Sequence, residues 1–140
     1  MQHSQLVPEL YVSDWAKSLS FYMELLGFTV LYDRPEDRFA SLERDGAQIM
    51  IEQTVDPERT LLADAPVFPY GRGLNLQIEV RDASAFCDSL TKTGCPMFRN
   101  IEDRWYRGDD TLVGSRQFVV QDPDGYLLRF FEDLGSKPST

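Results

Sequence analysis

The chain is poor in the residues that do metal and nucleophile chemistry. Its 140 residues hold one histidine, His3, near an end where fraying is expected. A single histidine there argues against a histidine-built metal site and against a His-centred triad. The two cysteines, Cys87 and Cys95, are too few for a disulfide framework, and their spacing matches no metal-binding pattern. One is expected partly buried on a helix and the other just after it. Basic residues are also scarce, 14 against 23 acidic, for a net charge of −9. That sign disfavours nucleic acid as a partner. It either aids solubility alone or mildly draws cationic ligands from a distance. No apolar run approaches the roughly 18 residues that span a membrane. The opening MQHSQLVPEL has no basic stretch before an apolar one, so no signal peptide is read and a cytoplasmic location is expected.

What is present belongs to a globular chain. Hydrophobic residues make up 42% and aromatics 12%. The length suits one domain, or two small halves sharing a core. Residues 6–12 alternate like a strand. Ser13-Asp14 then offers an N-cap for a helix to about Leu26, closed by Gly27. Strands follow at 28–33 and 38–43, and Asp45-Gly46 turns into a third at 47–53. Residues 54–73 hold Pro57, Pro66, Pro69, Gly71 and Gly73 and read as a linker or lid, with a short helical turn near 57–63. A strand at 74–80 precedes a helix capped by Asp82 and closed by Gly94. Strand-like segments at 97–101 and 105–107 lead to an acidic loop, 108–114. The last hairpin, 118–131, turns on Asp-Pro-Asp-Gly at 122–125. Residues 134–140 read as a frayed tail.

The chain repeats. Leu-Tyr-Val-Ser-Asp at 10–14 matches Ile-Glu-Val-Arg-Asp at 78–82, an offset of 68. Asp45-Gly46 matches Asp124-Gly125, and Phe39 stands seven residues before its glycine as Phe118 does before its own, an offset of 79. The expected fold is therefore α+β, one domain over 1–140. It holds two tandem βαβββ modules, 6–53 and 74–133, whose mixed sheets surround a cleft if they curve inward. About a dozen extra residues lie before the second module's final hairpin.

Alternation along the outer strands of each module gives one aliphatic face, expected against the helices, and one mixed face. The mixed face carries Glu9, Tyr11, Gln48, Met50 and Glu52 in the first half. In the second it carries Asn75, Gln77, Glu79, Arg129 and Phe131. It is either an ordinary solvated surface or, if the sheets curl inward, the lining of a site. Arg129 stands out as a charge inside the apolar run Leu127, Leu128, Phe130, Phe131.

These motifs together resemble the vicinal oxygen chelate superfamily of glyoxalases, extradiol dioxygenases and bleomycin-resistance proteins. The likeness rests on Val-x-Asp before each helix, Ser-Phe-Tyr at 20–22 leading to Leu-Gly-Phe at 26–28, and Asp-Pro-Asp-Gly-Tyr at 122–126. It spans about 6–133. Metal enzymes of the superfamily carry His, Glu or Gln at four strand positions, which here read Val7, Met50, Asn75 and Arg129. The resemblance thus implies no family-type metal centre and no cofactor. The metal-free branch is resembled further through Gly-Ser-Arg-Gln-Phe at 114–118, Trp105 and the acidity. In that branch a homodimer with exchanged N-terminal strands sequesters a bleomycin-type glycopeptide in clefts at its interface, with no bond broken.

The leading expectation is accordingly a homodimeric protein binding a bulky cationic or aromatic small molecule, with no nucleic-acid or membrane partner. Stacking groups would come from Trp105, Tyr106, Phe39, Phe68 and Tyr70, with Phe39 alternatively core. Cation partners would come from Glu9, Glu52, Glu79, Asp109 and Asp110, the last two alternatively a solvated loop. Tyr11, Met50, Asn75 and Arg129 complete the expected lining. Arg129 is expected to pair with Glu52 or Glu79, or else to touch the ligand. The competing expectation is an enzyme of the same fold, a lyase, isomerase or dioxygenase with altered chemistry. Glu9, Glu52 or Glu79 would then be the base and Tyr11 the acid. No residue is assigned a catalytic role.

Overall fold

The computed structural model describes residues 3–54 and 58–139. The chain divides into two compact units, Met1–Tyr70 and Gly71–Thr140. In the first, β1 (Glu9–Tyr11) leads to α1 (Trp15–Ser20), then β2 (Thr29–Arg34), β3 (Phe39–Arg44) and β4 (Ala47–Glu52). The sheet order is β1-β4-β3-β2, with β1 parallel to β4 and the other pairs antiparallel. In the second, β5 (Asn75–Glu79) leads to α2 (Ala83–Lys92), β6 (Met97–Arg107), β7 (Thr111–Gln121) and β8 (Leu127–Pro138). The order β5-β8-β7-β6 repeats the first. The architecture is α+β, two mixed four-stranded sheets from a duplicated βαβββ plan.

Both helices start where a carboxylate accepts from the backbone. Asp14 takes the Lys17 N–H at 3.1 Å, and Asp82 takes the Ala85 N–H at 3.0 Å. After α1 the chain makes a π-turn, Phe21–Leu25, in which Leu26 N–H donates to the Phe21 carbonyl at 3.2 Å. Gly27, at φ +79°, then turns the chain into β2.

The aliphatic strand face is the core in each unit. Leu10, Val12, Ile49 and Ile51 are buried with Tyr22, Leu26 and Phe28. Ile78, Val80, Leu128 and Phe130 are buried with Leu90 and Cys87 of α2. The Phe86 ring lies 4.9 Å from Phe130 and 5.8 Å from Phe118, in edge-to-face contact. Cys87 and Cys95 are buried and unbridged, and burial pushes both thiols up, away from the reactive thiolate form. Among the described residues no helix is long and apolar enough to cross a membrane.

Several sequence expectations give way. Pro57 lies outside the described residues, but 58–63 forms a turn and no helix. The Leu61 N–H donates to the Tyr11 hydroxyl at 3.1 Å, not to a helical carbonyl. The segments 97–101 and 105–107 are one strand, β6, and the loop 108–114 shrinks to 108–110 because β7 begins at Thr111. The extra residues of the second unit thus lengthen its strands. The tail at 134–138 is likewise ordered, since β8 pairs with β7 from Thr111↔Pro138 onward.

The match of Phe39 with Phe118 fails for a geometric reason. The first hairpin closes at Arg44↔Ala47, the second at Gln121↔Leu127. The longer second turn shifts β7 by one residue, and a one-residue shift changes the face of every side chain. Phe39 therefore pairs with Glu52 on the mixed face, while Phe118 pairs with Phe130 in the core.

Candidate functional site

Strand register builds the mixed face of the first sheet as rows. One row runs Tyr11, Glu52, Phe39, Arg34; the next runs Glu9, Met50, Ser41, Tyr32. Glu9, Tyr11 and Glu52 share a cavity of about 480 Å³ with Arg34, Arg59 and Thr60. The carboxyl of Glu9 is raised above its ordinary range. Partial loss of water around this otherwise exposed group is the largest cause, followed by repulsion from Glu52 and the hydrogen bond a protonated Glu9 makes with Glu52; Arg34 opposes these. Arg34 is held over the Phe39 ring at 4.1 Å, with Asp37 3.5 Å from its Nε. Phe39 is 3% exposed and forms a floor under Arg34. Thr54 Oγ1 also lines this cavity, buried without a hydrogen-bond partner among the described residues.

The second sheet carries a different set. Gln77, Arg129, Val119 and Arg99 form one row across its four strands. Asn75, Tyr106 and Arg129 meet in a cavity of about 330 Å³ that also takes in Arg99, Glu102 and Arg104. The Tyr106 hydroxyl accepts from Gln117 Nε2 at 3.0 Å. Arg129 Nε is buried without a hydrogen-bond partner among the described residues, which costs about 1–3 kcal/mol for a polar group left unmatched. The expected ion pair of Arg129 with Glu79 does not form. Parallel register sets Gln77 beside Arg129, and Glu79 lies two residues on, beside Phe131.

The turn 122–126 positions Arg129. The buried Asp122 carboxylate accepts from the N–H groups of Asp124 and Tyr126, both at 2.9 Å.

Other expected residues lie apart from these cavities. Trp105, 38% exposed, projects from the side of β6 opposite to Tyr106. Its ring covers Gly114, where an added Cβ would come within 2.7 Å, and Lys137 Nζ sits 3.9 Å from the ring centroid. Asp103 is on the same side of β6, held below the usual carboxylate range by its hydrogen bonds to Arg116 at 2.8 and 3.0 Å. Asp109 and Asp110 lie exposed in the turn between β6 and β7. Phe68 is 57% exposed and Tyr70 half-buried, both in the segment without helix or strand. Glu79, at the end of β5, is exposed.

Arg34, Arg59, Arg99, Glu102 and Arg104 escape the sequence reading. For Glu102 and Arg104 the signal is simple alternation back along β6 from Tyr106, hidden once that strand is read as two pieces. Arg99 joins them only through a register shift between Arg99 and Glu102.

The four positions that the resemblance marks for metal ligands offer no suitable donor set here. Val7 has no donor, Met50 offers a thioether, and Arg129 is a fixed cation in the same cavity as Asn75. Among the described residues no three His, Cys, Asp or Glu side chains are grouped to hold an ion.

Fold and site together define a duplicated βαβββ protein with polar cavities on its sheet faces. The family model of the Glyoxalase/Bleomycin resistance protein/Dioxygenase superfamily matches residues 3–130, and the chain belongs to that superfamily. Curated relatives include a bleomycin resistance protein from Geobacillus stearothermophilus, 29% identical over 94% of this chain and 98% of its own. A lactoylglutathione lyase from Neisseria meningitidis is 30% identical over 88% and 86%. Among solved structures, a protein of unknown function from Agrobacterium tumefaciens is 26% identical, covers 96% of this chain and 98% of its own, and has a TM-score of 0.69. TioX from Micromonospora sp. ML1, at 23% identity and TM-score 0.67, covers 94% of this chain and all of its own; it shares the fold.

Proposed function

We propose that this chain is a metal-free binding protein of the bleomycin-resistance type. It sequesters a bulky cationic and aromatic antibiotic in clefts at a homodimer interface in the cytoplasm, and breaks no bond in it. The observation that carries this reading is the Glu9–Glu52 pair beside Tyr11 in one cavity. Two carboxylates that repel each other gain more from a ligand cation than either does alone, because the cation relieves the repulsion. The Tyr11 ring adds a face for the same charge. The name of the Geobacillus relative and the net charge of −9 support the same ligand class. In this reading Met50 extends the lining on the same sheet face, and Phe68 and Tyr70 supply further rings.

Calorimetric titration with copper-free bleomycin tests the proposal. Saturable binding of one drug per protomer is expected, weakened by salt. Absence of heat at high micromolar drug rejects this ligand.

A second reading, an enzyme with an altered site, draws on one observation. The raised Glu9 carboxyl is suited to general acid–base work, and the Neisseria relative is named a lyase. Mass spectra of the drug after incubation separate the readings: recovery unchanged favours sequestration, a changed mass favours catalysis.

A further inference from the structure

The second sheet gathers positive charge in a chain of net charge −9. Three guanidiniums line its cavity of about 330 Å³, those of Arg99, Arg104 and Arg129, against the one carboxylate of Glu102. Register puts Arg99 and Arg129 on either side of Val119, on one face. Among the described residues none of the three has a carboxylate within ion-pair distance, whereas Arg34, Arg44 and Arg116 each have one. Arg129 Nε is removed from water with no acceptor. Asp133 lines an adjoining hollow of about 220 Å³ that shares Arg129 and Tyr106, and its Oδ1 already accepts the Gly135 N–H at 2.8 Å.

Clustered guanidiniums repel one another, and an Nε cut off from water without an acceptor is unfavourable. Both conditions reverse when an oxyanion enters, because guanidinium forks match the oxygens of carboxylate, sulfate and phosphate. Leu127, Val119 and Phe98 add apolar walls to the same cavity.

We infer that the cavity framed by Arg99, Arg104 and Arg129 is a binding subsite for the oxyanion group of a small organic molecule. It takes an anion where the first sheet's cavity takes a cation, so it stands independently of the antibiotic reading.

The probes are benzoate, inorganic sulfate, benzamidine and benzyl alcohol, added to the full chain at up to roughly ten millimolar and followed by NMR of the arginine Nε–Hε resonances. Benzoate and sulfate are expected to shift the Arg129 and Arg99 resonances saturably. Benzamidine, the cation of benzoate's shape, and neutral benzyl alcohol should not. Arg129→Gln and Arg99→Gln should each weaken benzoate at least about tenfold. Arg99 lies exposed on an edge strand, so its variant reports even if Arg129→Gln folds poorly. Arg116→Gln removes the same charge from β7, where Asp103 already holds the guanidinium, and should leave benzoate affinity unchanged. The inference is overturned if no arginine resonance moves, or if benzamidine or benzyl alcohol binds as well as benzoate. It is equally overturned if Arg116→Gln weakens benzoate as much as Arg99→Gln, since net charge alone would then explain the effect.

Discussion

The two sheets are built on one plan and carry opposite chemistry. Both run outer strand, last strand, middle strand, edge strand, with the first pair parallel. Both turn an aliphatic face to a helix. On the other face, the position of Met50 in the first sheet is that of Arg129 in the second, and the position of Glu9 is that of Gln77. One cavity sets the Glu9–Glu52 pair beside Arg34 and Arg59, the other sets three guanidiniums beside Glu102 alone. Core positions answer to packing and tolerate little, while the mixed face keeps its backbone and exchanges its charges. A duplicated fold can in this way hold two unlike binding surfaces.

The shared part of the comparison is tested by the core. Phe130 and Ile51 are equivalent, each fully buried. Phe130→Ala is expected to cost about 3–5 kcal/mol and Ile51→Ala about 2–5 kcal/mol in urea denaturation. Losses well below 1 kcal/mol at either position would show that the aliphatic faces are not what holds the sheets.

The turns test where the plan diverges. Gly46, at φ +91°, has no atom within 4 Å of an added Cβ, so Gly46→Ala should cost only the left-handed strain, about 1–2 kcal/mol. Gly71, at φ +71°, has the Tyr126 ring 2.5 Å from that Cβ. Gly71→Ala should add about 1–3 kcal/mol of overpacking to the same strain. Tyr126 corresponds to Ala47 in the first unit, which supplies no such ring. Equal costs for the two alanines would remove this difference.

How much of this was legible beforehand follows the same division. The helix caps, the turn glycines and the two aliphatic faces are local signals, and they locate nearly every element and the family. Arg129 is visible as a charge among Leu127, Leu128, Phe130 and Phe131. Its surroundings are not, because Arg99 and Arg104 reach it through a register shift and through strands extended past where the composition stops looking strand-like. Phe39 misled for a related reason: the two hairpins have turns of different length, and counting from the glycine cannot see that. Trp105 reads as an available ring, yet cross-strand Gly114 and Lys137 occupy it.

Exchanging the charge at the equivalent position sharpens the contrast in binding. Met50 lies beside Glu9 in parallel register. Met50→Arg would place a guanidinium among Glu9 and Glu52 and compete with any ligand cation. Affinity for copper-free bleomycin should fall at least tenfold, or about 1.4 kcal/mol, by calorimetry. Unchanged affinity would mean that the drug does not use the carboxylate pair.

The smallest effect concerns pH, and here the two sheets should respond with opposite sign. The Glu9 carboxyl is raised in the folded chain, so the stability tied to it is complete below the ordinary carboxylate range and is lost as pH rises through the raised value. Glu9→Gln removes that loss. The variant should match the wild type near pH 3 and exceed it near pH 8, by at most roughly 1 kcal/mol because the residue remains exposed to screening solvent. Asp103 in the second sheet is held low by Arg116, so its contribution is present above the ordinary range and disappears as pH falls through its lowered value. Asp103→Asn should therefore be the less stable partner at neutral pH and equal to the wild type in strong acid. Urea midpoints of Glu9→Gln near pH 3 and pH 8, and of Asp103→Asn near pH 8 and in strong acid, decide the matter. If the Glu9→Gln difference is the same at both, Glu9 and Glu52 are not coupled, and the cation-binding reading of the first cavity loses the observation it stands on.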